Sequence, residues 1–424
     1  MRVLVLSTLY PPVAFGGYEV ECSAVVERLR ERHEVLVLTS DTAARDTAAR
    51  AELLEQGSVG EQDLVRRELV RLTHDWRGAL RAPQASLRAV GSARHALAWE
   101  PDIVYSWNGA SIPQAALRVL ADSGVPLAFR VCEHWFAGLF SEDQFMRELL
   151  PAGSTGASRG LARGAWAFGC RTFNALPALR LHPTAPTRTA ISWNSRAIRR
   201  MVRTPAFLEP VLERVAHSVP RHGDLYAEVE RDPASAPEVV FLGRVTPYKG
   251  LAVAIEALAR LRGEHAIPAR LIVIGPEDPD HGAEMRLLAE RLDVAAAVEW
   301  RGQLAPEQAA RALSHAHALI VPSVWEEPFP LVTIEGALAR VPLVAADVGG
   351  IGEGMHDEEH ALLFPRGDAR AAAEALARAL RNDGAETLAR VARAHERAQE
   401  FRLEPYLDEQ ERFVQDAYEV LRGG

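Results

Sequence analysis

Short unbroken apolar runs recur along this chain, separated by stretches with helical periodicity. That alternation constrains the fold more than any other feature. The runs Val3-Leu4-Val5-Leu6 and Val35-Leu36-Val37-Leu38 contain no polar position. A strand with one face in water alternates polar and apolar residues, whereas a strand covered on both faces has no need to. Residues 18–30, between these two runs, repeat apolar positions at helical spacing. Strand, helix, strand, helix with doubly buried strands implies parallel sheets carrying helices on both faces.

The runs fall into two series. Ile103-Val104-Tyr105, Leu127-Ala128-Phe129 and Thr189-Ala190-Ile191 continue the first. The second opens at Val239-Val240-Phe241. It continues through Leu271-Ile272-Val273-Ile274, Ala297-Val298-Glu299-Trp300, Leu319-Ile320-Val321 and Leu343-Val344-Ala345. Residues 231–237 between the series are polar and contain two prolines, the composition of a linker. A chain of 424 residues also exceeds what one core usually holds. Two Rossmann-like, doubly wound α/β domains are therefore expected, at residues 1–230 and 238–400. Open sheets of this class bind ligands beyond the carboxyl ends of their strands, so both domains are expected to face a central cleft. Residues 41–64 are polar, Ala-rich and charged and read as a surface excursion.

Composition narrows the partners. A formal net charge of −9 disfavours bulk nucleic-acid binding. Cys22, Cys132 and Cys170 are too widely spaced for a metal knuckle or a disulfide framework, which fits a reducing cytoplasm. The first run begins next to Arg2, leaving no room for a signal peptide. No apolar run reaches the roughly 18 residues that span a bilayer.

Chemistry concentrates in the second series. Residues 327–335 read Glu-Pro-Phe-Pro-Leu-Val-Thr-Ile-Glu and lie between a strand-like run and a helix. The start of that helix offers free N–H groups and partial positive charge, which suit a phosphate. Carboxylates beside a phosphate would repel it, but they can accept hydrogen bonds from sugar hydroxyls. Earlier, residues 241–250 place Arg244 and Lys249 in a strand-to-helix turn. Two cations there can neutralise a diphosphate, arginine as a planar fork and lysine as a point charge. Anion-binding amides and cations bracketed by hydroxyl-binding carboxylates point to a sugar nucleotide.

At these residues the chain resembles the retaining glycosyltransferases of the GT-B fold, glycosyltransferase family 4. The resemblance covers nearly the whole chain. It is carried by Leu9-Tyr10-Pro11-Pro12 with Gly16-Gly17-Tyr18-Glu19, by His33-Glu34-Val35, and by the Arg244/Lys249 turn. Pro322-Ser323, Glu327 to Glu335, and Gly349-Gly350 with Glu353 follow in the same order. The resemblance implies an N-terminal acceptor-binding domain and a C-terminal domain for the nucleotide sugar. The last helix, near residues 404–424, would return to the N-terminal domain.

The resemblance also implies roles. His134 would lie against the transferred sugar, with Arg244 and Lys249 on the diphosphate and Glu327 on the sugar hydroxyls. Glu335 would take the ribose hydroxyls. Phe329, Leu331 and Val332 would offer backbone N–H groups, and Arg301 would meet the base through its main chain. Gly16 and Gly17 would let the backbone come close to a ligand where a Cβ obstructs. Trp107, Asn108 and Glu133 would shape the acceptor side. The implied activity is transfer from a UDP- or GDP-sugar to an acceptor hydroxyl of a small molecule or glycan, with retention and without a metal. No cofactor is expected: the Gly16-Gly17 turn is not the Gly-x-Gly-x-x-Gly of a nicotinamide site. A GT-B epimerase or phosphorylase is the enzymatic alternative, and a non-catalytic sugar-nucleotide-binding subunit the other.

Several features stand apart. Pro330 and Arg340 occupy positions where the family commonly has glycine, and Glu277 replaces a frequent second glycine after Gly275. Asp278-Pro279-Asp280 has the form of an Asp-x-Asp metal motif, but its central proline favours a turn or helix cap. Residues 151–208 contain nine arginines and no acid, a solvated face or a surface for an anionic acceptor or membrane.

Overall fold

The computed structural model describes residues 1–11, 17–40, 65–69, 76–109, 112–139, 183–226, 229, 236–381 and 384–423. Gly16, the excursion at 41–64, most of the 231–237 linker and residues 151–182 of the Arg-rich segment lie outside them.

Two all-parallel sheets form. The first contains β1 (Arg2–Ser7), β2 (Glu34–Ser40), β3 (Val65–Leu69), β4 (Ile103–Asn108), β5 (Leu127–Val131), β6 (Thr187–Trp193) and β7 (Leu208–Val215). Its order is β3-β2-β1-β4-β5-β6-β7. The second contains β8 (Glu238–Leu242), β9 (Arg270–Ile274), β10 (Val298–Gly302), β11 (Ala318–Val321), β12 (Leu343–Ala346) and β13 (Leu362–Phe364). Its order is β10-β9-β8-β11-β12-β13. In each sheet the strand order reverses at one place, between β1 and β4 and between β8 and β11. That reversal opens a crevice at the carboxyl ends of the two strands.

Every apolar run in the sequence becomes a strand, because each central strand is covered by helices on both faces. The run at 297–300 starts one residue late, since Ala297 closes a short 3₁₀ turn before Val298. Three strands lack an unbroken apolar run: β3, β7 and β13. All three are edge strands. β7 alternates buried and exposed positions and tolerates Pro210, as an edge strand can.

The chain divides into two compact units. One comprises Met1–Asn194, Ile198–Ala216 and Leu407–Gly424; the other comprises Ser195–Ala197 and His217–Tyr406. Residues 217–226 thus group with the second unit. In the first unit the helix Leu403–Arg422 is tied to β4, where the buried Tyr105 hydroxyl donates to Gln410 Oε1 at 2.7 Å. Among the described residues no helix is long and apolar enough to cross a membrane.

Candidate active site

The most developed constellation lies at the β8/β11 reversal. After β8 the chain passes Arg244 and makes a 3₁₀ turn, Pro247–Lys249. It then enters the helix Leu251–Gly263 through Gly250. Gly250 has φ 72°, and a Cβ there would meet the Pro322 carbonyl oxygen at 1.9 Å. Only glycine lets the two loops come this close. The Val324 N–H donates to the Tyr248 carbonyl at 2.9 Å and joins the loop after β11 to the loop after β8.

Lys249 and Glu327 meet across this junction, with Nζ donating to Oε1 at 2.7 Å. The Ser323 hydroxyl donates to the same carboxylate oxygen. Glu327 is only 2% exposed, so these partners stabilise a charge that would otherwise be costly to bury. Aromatic rings frame the cations. Arg244 Cζ lies 5.6 Å from the Tyr248 ring centre and Lys249 Nζ 5.7 Å from that of Trp325. The two rings are themselves 5.2 Å apart. Arg244 is exposed. The Glu327 backbone is fixed by Gly349, whose φ is 56° and whose Cβ would strike the Glu327 carbonyl oxygen at 2.1 Å. The Gly350 N–H donates to that same carbonyl at 2.7 Å.

The loop then feeds the helix Leu331–Leu338. Pro330 is its N-cap, with φ −79°, and the Pro330 carbonyl accepts from Thr333 Oγ1 at 2.8 Å. Leu331 and Val332 are the first two helical residues, whose N–H groups have no intrahelical acceptor. The Phe329 ring faces away from any ligand role: it is buried, 4.8 Å from the His217 ring and 5.5 Å from Phe401. The helix ends in a Schellman motif, with Val341 N–H donating to the Gly336 carbonyl at 3.0 Å. Arg340 takes the left-handed position at φ 53°, where glycine is usual, at a cost of about 1 kcal/mol.

Glu335 lies on this helix and is half-buried. Burial pushes its carboxyl up to about 7, and a hydrogen bond from the Tyr226 hydroxyl pulls the other way. A carboxyl raised in the folded state favours folding at low pH, and that advantage is lost as pH rises through the folded value. The rise from the ordinary 4.5 to about 7 is worth about 3 kcal/mol at most. Glu335→Gln is therefore expected to stabilise the chain by up to about 3 kcal/mol at pH 8 and by nearly nothing at pH 4.5. Denaturant melts at the two pH values measure this; an equal change at both would mean that the carboxyl is not raised.

Other residues singled out in the sequence are distributed as follows. Arg301, on β10, turns its side chain to Glu299, with Nε donating to Oε1 at 2.7 Å, which leaves only its main chain for a ligand. In the first unit Gly17 opens the helix Gly17–Arg30 beyond β1 and is exposed. Glu133 and His134 follow β5, at the start of an exposed 3₁₀ turn. Asn108 ends β4, and its carbonyl accepts from the Thr8 N–H and hydroxyl, both at 2.8 Å. Trp107 requires a correction. It lies inside β4 rather than after it, is fully buried, and packs edge-on against Tyr18 and Tyr105 at 5.6 Å. Its side chain belongs to the core, not to an acceptor surface.

Glu277 has a structural account. Its carboxylate takes both terminal nitrogens of Arg286, at 3.0 and 3.1 Å, while Arg286 stacks on Trp300 at 4.3 Å. Asp278 is the N-cap of the helix Pro279–Arg291, its Oδ1 accepting from the His281 N–H at 3.0 Å. Arg199 pairs with Glu213 at 3.0 Å. Among the described residues, His356, Glu359 and His360 cluster with metal-ligating types. However, His360 Nδ1 accepts the His356 N–H at 3.1 Å. This tautomer carries its proton on Nε2, facing Glu359, and leaves no lone pair there for an ion. Sequence reasoning gave no role to Ser323, Tyr226, Tyr248 or Trp325. Tyr248 and Trp325 stand close in sequence to expected ligands, which was the available signal; Tyr226 had none.

Residues 226–399 match the family described as Glycosyl transferases group 1. A D-inositol 3-phosphate glycosyltransferase of Acidothermus cellulolyticus is 33% identical over 154 residues, covering 35% of this chain and 34% of the relative. A phosphatidyl-myo-inositol mannosyltransferase of Mycobacterium leprae is 31% identical over 152 residues, covering 36% and 39%. The chain thus spans well under half the length of these relatives. Anabaena HepE, solved in complex with UDP and glucose, is similar over 98% of this chain and 100% of its own, with TM-score 0.66 and 20% identity. The sucrose-phosphate synthase of Thermosynechococcus elongatus is similar over 99% of each chain, with TM-score 0.68 and 20% identity. The resemblance to group 1 glycosyltransferases stands, and the two parallel sheets are those of the GT-B fold.

Proposed function

We propose, from a chain of GT-B fold whose residues 226–399 match the group 1 glycosyltransferases, that it moves a sugar from a nucleoside diphosphate sugar to an acceptor hydroxyl, with retention and without a metal. The observation that carries this is the Lys249–Glu327 pair at the β8/β11 crevice, beside the start of the helix Leu331–Leu338. An ammonium has three N–H donors. Lys249 can keep Glu327 and still direct two donors at phosphate oxygens, so the cation and the carboxylate serve different parts of one ligand. Arg244 adds a second positive group, and the N–H groups of Leu331 and Val332 a third source of stabilisation. Glu327 accepts sugar hydroxyls and Glu335 the ribose hydroxyls.

The reaction then needs little from the protein beyond orientation and charge. As the bond from the anomeric carbon to the diphosphate breaks, negative charge grows on the leaving oxygens, where Lys249 and Arg244 are aimed. The acceptor attacks from the same face, and its proton passes to the leaving diphosphate. His134, with Glu133 and Asn108, supplies the acceptor-side and sugar contacts from the first unit.

A thermal-shift panel of nucleoside diphosphates and their sugars tests the donor, because a ligand that binds only the folded state raises its melting temperature. No shift with any of them would overturn the proposal. Transfer to an acceptor, followed by NMR of the product anomer, tests retention. Activity is expected to be unchanged in EDTA, since side-chain cations do the neutralising. Loss in EDTA that manganese or magnesium restores would show that a metal shares the diphosphate.

A further inference from the structure

We propose that Tyr226 is a positioning residue for the nucleotide: its hydroxyl holds Glu335 in the orientation that reads the ribose diol. This rests on the donor-binding reading above. The geometry comes from a short turn that sequence reasoning left without a role. Residues Gly223–Leu225 form a 3₁₀ turn. Gly223 backs onto Leu338, since a Cβ there would lie 3.3 Å from a Leu338 methyl. Leu338 and Glu335 are three residues apart on one helix and so share a face. The turn that rests on Leu338 thereby carries Tyr226 to Glu335, and its hydroxyl donates to the carboxylate. Tyr226 is itself half-buried.

The pairing has a chemical consequence. An ionised carboxylate accepts at about four lone-pair sites, so one bond from Tyr226 leaves room for both ribose hydroxyls. A protonated carboxyl would present a donor to that diol in place of one acceptor. Burial drives Glu335 toward the protonated form, and the Tyr226 bond is the one interaction opposing it. Glu335 in turn holds the Tyr226 proton in place, with burial and the neighbouring carboxylate both raising the phenol. The helices packed on this one also carry charged groups. Arg311 lies on Pro306–Ser314, Glu353 on Ile351–Gly354, and His395 on Ala385–Ala398. His395 bonds the Ala337 carbonyl at 3.2 Å, and Glu353 accepts from the Arg196 N–H at 2.8 Å. Neither of those contacts is with Glu335.

Tyr226→Phe keeps the ring and removes only the hydroxyl. Titration calorimetry with UDP and GDP, each against its 2′-deoxy analogue, separates ribose recognition from phosphate binding. In the unaltered chain the ribonucleotide that binds is expected to exceed its deoxy analogue by about tenfold at pH 7.5. Tyr226→Phe is expected to erase most of that preference and to leave affinity for the deoxy analogue within about twofold. The ribose preference should return partly at pH 8.5, as Glu335 ionises without help. A merely structural tyrosine would weaken both nucleotides equally and move neither the ratio nor its pH dependence, and that result would overturn the proposal. If the unaltered chain binds neither diphosphate, the donor reading falls and this inference with it. If it binds one and Tyr226→Phe discriminates as before, the donor reading stands and only the role of Tyr226 is lost.

Discussion

Lys249→Ala is expected to lower turnover at least about 100-fold, and Arg244→Ala separately by a similar factor. A donor aimed at developing charge in a water-poor site typically contributes this much. The two variants should differ in stability. Arg244 is exposed and stacks only on Tyr248, so its loss should leave folding almost unchanged. Lys249 is the cationic partner of a carboxylate that is 2% exposed. Its removal leaves Glu327 with the Ser323 hydroxyl, and breaking such a pair typically costs about 3 kcal/mol or more. Glu327→Gln placed on top of Lys249→Ala should recover much of that loss, because the stranded charge is gone. Steady-state rates together with denaturant melts of the three variants decide the matter. Near-normal turnover in both single variants would remove the diphosphate assignment. An equal stability loss in all three would mean that the Lys249–Glu327 pair contributes no coupling.

Glu327→Gln alone is expected to cut transfer by about 100-fold or more while affinity for the free nucleoside diphosphate changes little. The carboxylate is placed to accept hydroxyls from the transferred sugar, which the free diphosphate lacks. An amide has one acceptor where the carboxylate has two, and each lost charged hydrogen bond in such a site costs about 1.5–3 kcal/mol. Calorimetry with the diphosphate and with its sugar gives the comparison. A parallel fall in both affinities would place Glu327 on the phosphates, through Lys249, rather than on the sugar. The second result is a distinct possibility to exclude, since Lys249 Nζ is only 2.7 Å from Glu327 Oε1.

The sequence by itself determined the central strands and the loops that carry chemistry. Strands such as β1, β8 and β11 are covered on both faces, so their composition is apolar throughout and visible without a partner. Arg244, Lys249 and Glu327 stand directly after strands that flank a reversal in strand order, and their residue types announce phosphate and hydroxyl chemistry. The left-handed turn at Arg340 was also legible, as an arginine where glycine is common.

Only tertiary structure decided the rest. The edge strands β3, β7 and β13 are held by one neighbour, so their sequences need no unbroken apolar run. Trp107 looked like a loop aromatic because strand length is not encoded locally; two further residues of pairing in β4 carry it into the core between Tyr18 and Tyr105. The junction between Val324 and Tyr248 and the pairing of Tyr226 with Glu335 join residues about 76 and 109 positions apart. No local propensity specifies such a meeting. It follows from how the sheet orders its strands, and that order is set by burying both faces of every central strand at once.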